Sequence, residues 1–180
     1  MDWTKAKNIL IIALLATNLI IGITYYGSIQ AKENEWEAQA RNTEAYLEEQ
    51  GVALETQIPH TPVRMPVLFV RFEPVDPGVS PEAVFDGDVP VESPDPSVAV
   101  VPMARGENRR EVVSASYALL KYLAAMDRRG LEPAGIREIG LIYLVETVDD
   151  GREISEDTAV PAWKLSLSDG QVFYVNAYGE

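Results

Sequence analysis

Ala162-Trp163-Lys164-Leu165-Ser166-Leu167, then Ser168-Asp169-Gly170, then Gln171-Val172-Phe173-Tyr174-Val175-Asn176-Ala177-Tyr178 form one continuous run near the C-terminus. Trp163, Leu165 and Leu167 alternate with Lys164 and Ser166, and Phe173, Val175 and Ala177 alternate with Tyr174, Asn176 and Tyr178. Successive side chains of a strand point to opposite faces, so this period of two predicts a sheet covered on one face only. Between the two halves, Asp169-Gly170 suits a tight turn, because glycine reaches positive φ without the steric penalty of a Cβ. The run therefore predicts an antiparallel terminal hairpin, with Trp163 in the core and Tyr174 and Tyr178 turned outward.

Working outward, residues 139–148 read as a long strand around Gly140-Leu141-Ile142-Tyr143-Leu144-Val145. Asn108, with Glu111 three residues later, resembles a capping box that opens a helix over residues 108–129, closed by Gly130. Val112, Ser116, Leu119, Leu120, Leu123 and Met126 or Asp127 fall near one face of that helix, while Arg109, Arg110 and Lys121 stay in water. Arg128 and Arg129 suit the negative end of its dipole. Residues 67–72 (Val-Leu-Phe-Val-Arg-Phe) read as a strand bounded by Pro66 and Pro74. Residues 73–97 hold Pro74, Pro77, Pro81, Pro90, Pro94 and Pro96, which predicts an extended loop, since proline removes backbone donors and resists helix. Residues 98–103 form a second strand, placed at a sheet edge by Pro102. One helix packed on an antiparallel meander gives an α+β domain over residues 52–180.

The N-terminal quarter has a different character. Residues 8–31 carry no charge, and residues 9–23 are almost wholly Ile, Leu and Ala with Thr17, Asn18 and Gly22 interspersed. A bilayer core of about 30 Å needs roughly 20 helical residues, so residues 8–28 are expected to cross it. Lys5 and Lys7 precede the span, and Glu33, Glu35 and Glu37 follow Lys32. Positive charge stays on the cytoplasmic side, which predicts cytoplasmic residues 1–7 and an extracytoplasmic remainder. Trp3 on one side, with Tyr25 and Tyr26 on the other, fit interfacial aromatic belts. A cleaved signal peptide is the competing reading, although Ile29 and Ala31 make a poor cleavage pair. Residues 29–51 read as a helical stalk, with Trp36, Ala40, Thr43 and Leu47 as a narrow stripe suited either to pairing with another helix or to a solvated lever, and Gly51 as its cap.

Two stretches carry a family resemblance. Met1-Asp2-Trp3-Thr4-Lys5-Ala6-Lys7, running directly into the apolar segment, resembles the opening of YycI-type regulatory proteins. Val160-Pro161-Ala162-Trp163-Lys164-Leu165, then Asp169-Gly170, then Tyr174-Val175-Asn176-Ala177-Tyr178, is similar to the closing hairpin of the YycH/YycI regulatory domain and also resembles PepSY-like hairpins. The resemblance covers the first fifty residues and the last seventy. It implies a membrane-anchored extracytoplasmic regulator of the YycFG (WalRK) two-component system. Such a protein binds the sensor histidine kinase YycG (WalK), which controls cell-wall metabolism, with a YycH-like protein as second partner. An anchored PepSY-like inhibitor or ligand-binding module, acting on an exported enzyme or peptide, is the alternative.

The residues most suited to partner contact are Asn18, Trp36, Tyr174 and Tyr178. Asn18 can hydrogen-bond to a neighbouring transmembrane helix, or be a tolerated polar residue. Trp36 heads the stalk stripe, and outward tyrosines are favoured contact residues because aromatics dominate binding hot spots. Catalytic candidates are thin. His60 lies in Ile58-Pro59-His60-Thr61-Pro62 with no Ser or Cys motif beside it, and Ser114, Ser116 and Lys121 lack the spacing of a Ser-Lys dyad. Asp149, Asp150, Glu153, Glu156 and Asp157 could offer oxygen ligands to calcium, but the EF-hand spacing is absent and a solvated turn is the plainer reading. Neither a cofactor nor a metal is expected, and an anchored hydrolase is disfavoured.

Composition narrows the classes further. The 180 residues leave room for one domain plus an appendage. A net charge of −13 opposes nucleic-acid binding, which needs clustered Lys and Arg. The chain has no cysteine and one histidine, which removes disulfides, thiolate chemistry and multi-histidine metal sites. An exported domain of this composition must hold together by packing alone.

Overall fold

The computed structural model describes residues 3–60, 64–74, 83–85, 89–92, 98–145 and 156–179. Its elements, in chain order, are α1 (Trp3–Glu49), β1 (Arg64–Pro74), β2 (Ala83–Phe85), β3 (Val89–Glu92), β4 (Val98–Glu111), α2 (Ala115–Arg129), β5 (Ile136–Val145), β6 (Glu156–Leu167) and β7 (Val172–Asn176). They divide into two units, Met1–Asn42 and Thr43–Glu180.

The described residues of the first unit, from Trp3, are helix alone. Ile11, Leu14, Leu15, Leu19, Ile20, Ile21 and Ile23 are all exposed on it, so its apolar character runs around the whole circumference. Among the described residues, no helix is long and apolar enough to cross a membrane. The side chains of Ile9, Leu10 and Ile12, part of the apolar run, lie outside the described residues.

The second unit begins with the last turns of α1. Gly51, at φ 74°, ends the helix, and Gly51 N and Val52 N donate to Glu48 O and Leu47 O at 3.0 and 2.9 Å. This left-handed cap satisfies carbonyls that a helix end leaves without partners. Thr43 and Leu47 are buried within this unit. The stripe expected to face another helix is thus consumed at its C-terminal half by the domain itself.

Among the described residues seven strands form one sheet in the order β2-β3-β5-β6-β1-β4, with β7 also on β6. All pairs are antiparallel except β3 with β5, so the α+β class holds while the expected meander is broken once. β6 is the centre of the sheet. Along one side it pairs with β5, and along the other its N-terminal half pairs with β1 and its C-terminal half with β7.

Three expectations are corrected. Asn108 and Glu111 do not open a helix; they lie in β4, where Glu111 is registered with Arg64 and Arg110 with Met65. The ladder to β1 and the β-branched Val112-Val113 that follows outweigh a local capping pattern. The helix starts at Ala115, after Ser114, whose hydroxyl accepts from Tyr117 N at 3.3 Å. Its buried face is Ala115, Ser116, Ala118, Leu119 and Tyr122, leaving Leu120 exposed. Gly130 closes it as expected, at φ 65°. Finally, the proline-rich stretch expected as loop contains β2 and β3, which pair with each other; β3 is registered with β5 at Val91 and Glu92, so Pro90 lies outside that second ladder; residues 75–82, 86–88 and 93–97 lie outside the described residues. The strand expected to reach residue 148 is described to Val145, and residues 146–155 lie outside.

Two apolar groups hold the domain. Met65, Leu68, Val70, Val91, Val100, Tyr143, Val145 and Ala159 form one cluster between strands. The other lies under α2, where Trp163 is 1% exposed and its Nε1 donates to Val113 O at 2.9 Å. Burying an indole is favourable only when that N–H finds an acceptor. Tyr122 meets Phe173 edge to face, with ring centroids 5.3 Å apart, and its hydroxyl accepts from Ala134 N at 2.7 Å and bonds Ala134 O at 3.2 Å.

Candidate functional site

The Asp169-Gly170 turn sets the register of the hairpin: Lys164 sits opposite Tyr174, and both side chains stand on the face away from Trp163. On the other side of β6, Lys164 is opposite Gly140 of β5. β3 lies beyond β5 in the sheet order, with Glu92 registered opposite Leu144. There Lys164 Nζ meets Glu92 Oε1 at 2.6 Å, and Tyr174 OH donates to Glu92 Oε2 at 3.4 Å. One carboxylate thus gathers groups from β6 and β7, forming a polar strap across β3, β5, β6 and β7.

The strap shifts the acid–base behaviour of its members. For Lys164, burial lowers the pKa, but the hydrogen bond and charge of Glu92, with smaller help from Tyr174 and Glu138, raise it above its ordinary value. Tyr174 is raised by burial and by the charge of Glu92, against a lowering by Lys164. At neutral pH the pair therefore presents an ammonium and a protonated phenol. Both donate to Glu92, and the ammonium alone carries further N–H groups suited to a partner's acceptor.

Tyr178 belongs to a separate cluster. Asn176 Oδ1 accepts from Tyr178 N at 2.8 Å and turns the chain after β7, and Tyr178 OH then donates to Met65 O at 3.1 Å. The Arg110 guanidinium lies 4.3 Å from the Tyr178 ring centroid. Burial raises the Tyr178 pKa against the lowering charge of Arg110. Nearby, Tyr143 is raised by burial and by Tyr178, while Arg105 and Arg109 lower it. Exposed arginines thus gather near the half-buried Tyr178 and the buried Tyr143 at the end of β7.

Of the four residues expected to contact partners, Tyr174 is exposed at the strap and Tyr178 is half-buried against Arg110. Asn18 is exposed and Trp36 half-buried on α1, in the first unit. The two tyrosines therefore serve two clusters rather than one patch. Sequence reasoning missed Glu92, inside the proline-rich stretch, and Arg110, assigned to a helix. Lys164 could have been found with Tyr174, because the turn alone places them face to face.

The remaining candidates separate. His60 is exposed in a loop. Ser114 caps α2, Ser116 is buried, and Lys121 Nζ lies 5.3 Å from the Tyr117 ring centroid, so nothing links the serines to that lysine. Asp149, Asp150 and Glu153 lie outside the described residues, and Glu156 and Asp157 begin β6. Among the described residues, no group of three or more acidic or histidine side chains could hold a metal ion.

Compared with protein-family models and with curated proteins, the chain matches none.

Proposed function

We propose that this protein is a membrane-anchored extracytoplasmic regulator that binds and modulates a sensor histidine kinase of the YycG (WalK) type, together with a YycH-like protein. In this reading residues 8–28 lie in the bilayer, residues 1–7 are cytoplasmic, residues 29–51 form the stalk and residues 52–180 act outside. The observation that carries it is the exposed apolar surface around α1, from Ile11 to Ile23. A helix apolar on every side belongs in lipid or in a protein core. The uncharged run over residues 8–31, with Lys5 and Lys7 before it, and the YycI-like opening and closing segments add support.

Regulation then follows from differential contact. A partner that binds two kinase states equally shifts neither, so α1 and the sheet domain must touch one state better than the other. Asn18 supplies a polar contact within the membrane and Trp36 one on the stalk, while Tyr174 and Tyr178 supply contacts outside it. Photocrosslinkers placed singly at residues 10–23 in the native membrane test this. Capture of the kinase or the YycH-like protein supports it, and background labelling at every position overturns it.

The PepSY-like character of the terminal hairpin favours a second reading, an anchored inhibitor or ligand-binding module acting on an exported enzyme or peptide. A chain lacking the first helix that still retains an extracellular partner supports that second reading over the first.

A further inference from the structure

Among the described residues β2, β4 and β7 each leave one side of the sheet unpaired, and β2 is only three residues long, too short to seat a further strand well. β4 is guarded, with Pro102, two register irregularities opposite β1, and Arg105, Arg109 and Arg110 along its length. Such features discourage a further strand from pairing. β7 has none of them. Its sequence Val172-Phe173-Tyr174-Val175-Asn176 contains no charge, proline or glycine, and its register with β6 is unbroken.

The ladder shows which groups point outward. Leu167 N donates to Gln171 O and Ala177 N to Pro161 O, so the odd-numbered residues of β7 turn their N–H and C=O toward β6. Val172 and Tyr174 turn theirs to the opposite side, as Asn176 does its N–H, while Asn176 O accepts from Gly179 N at 3.2 Å. Among the described residues no strand pairs with that side. Val172 is 42% and Tyr174 37% exposed. An uncharged edge of strong strand formers is a template for strand addition.

We propose that the added strand is β7 of a second copy of this chain, running antiparallel about Tyr174. This register pairs all five residues: Tyr174 with Tyr174, Val172 with Asn176 and Phe173 with Val175. Every outward-turned residue then meets another outward-turned one, and no charge faces a like charge, although each chain carries −13 overall. Five paired residues bury far less than the roughly 1,000 Å² of a stable free interface. The pairing therefore needs high local concentration, which two copies held in one membrane supply; that clause rests on the anchored reading above.

The chain contains no cysteine, so single thiols report the register directly. The full chain carrying Tyr174→Cys or Val172→Cys is reconstituted in phosphatidylcholine–phosphatidylglycerol vesicles and oxidised with diamide. Facing residues of an antiparallel pair have Cα atoms about 5.5 Å apart, within disulfide reach. The two copies of residue 172 are about 14 Å apart, beyond it. Tyr174→Cys is expected to cross-link at least about tenfold faster than Val172→Cys. Equal rates, or no cross-link at position 174, overturn the inference. Flotation of the same vesicles reads the anchor separately: if the chain does not float, the anchored reading fails and the oxidation is repeated on concentrated protein, with the same outcomes deciding. As a second measurement, Tyr174→Lys places two ammonium groups face to face. It is expected to abolish cross-linking of a Gln171→Cys chain by a long bifunctional maleimide while the circular dichroism spectrum stays that of the folded chain; undiminished cross-linking overturns the inference.

Discussion

Lys164 Nζ lies 2.6 Å from Glu92 Oε1 although β5 runs between the strands that carry them. β3 is registered with β5 only at Val91↔Tyr143 and Glu92↔Leu144, so this ion pair is a principal tie between the outer hairpin and the centre of the sheet. Lys164→Met keeps the stem and removes the charge. It is expected to lower stability by about 1 kcal/mol, as for a partly exposed pair, and to lose amide protection chiefly at Val91 and Glu92. A loss of protection spread evenly over the sheet contradicts the strap.

Alkaline pH should dissolve the same tie. Lys164 has a folded-state pKa above its ordinary 10.5, so its contribution is fully present below pH 10.5 and is lost as pH rises through the folded value. Tyr122, Tyr143, Tyr174 and Tyr178 are also raised above their ordinary 10.0, chiefly by burial, and act with the same sign. Denaturant midpoints are expected to be level from neutrality to about pH 9.5 and to fall steeply above pH 10. The gap between wild type and Lys164→Met should stay constant below pH 10.5 and narrow above it. A gap that widens there contradicts the assignment.

Trp163→Phe removes the indole N–H that satisfies Val113 O and some buried volume beneath α2. The expected loss is about 2 to 3 kcal/mol in equilibrium unfolding, combining an orphaned acceptor with a small cavity. A change below about 0.5 kcal/mol, the range of an inert surface substitution, contradicts a core role.

Gly106 sits where the β1–β4 register jumps, and a Cβ there would lie 2.8 Å from Val67 Cγ2 and 3.3 Å from Val67 O. Gly106→Ala is expected to destabilise by about 1 to 3 kcal/mol, because the backbone oxygen cannot move away. Adding Val67→Ala should recover part of that loss by removing the nearer atom. Independent, additive effects of the two substitutions contradict the contact.

The terminal hairpin was legible because its alternation and its turn are local: Trp163 and Leu165 are buried, Tyr174 is exposed, and Lys164 faces Tyr174 as the turn requires. Gly130 likewise marked a helix end from its own conformation. The start of that helix was misplaced because Asn108 and Glu111 satisfy a local rule while β1, far back in the chain, offers Glu111 and Arg110 a ladder with Arg64 and Met65 that no local pattern encodes. Glu92 was hidden for the same reason. Its place in the site depends on the parallel β3–β5 pairing across a long stretch of sequence, and the prolines around it point to a loop.

The placement of the domain is read most directly with Gln171→Cys, since Gln171 is exposed and the natural chain offers no other thiol. In intact cells a membrane-impermeant maleimide is expected to label this cysteine fully, with no further labelling after permeabilisation. Labelling that begins only after permeabilisation places the sheet domain in the cytoplasm and contradicts an extracytoplasmic regulator.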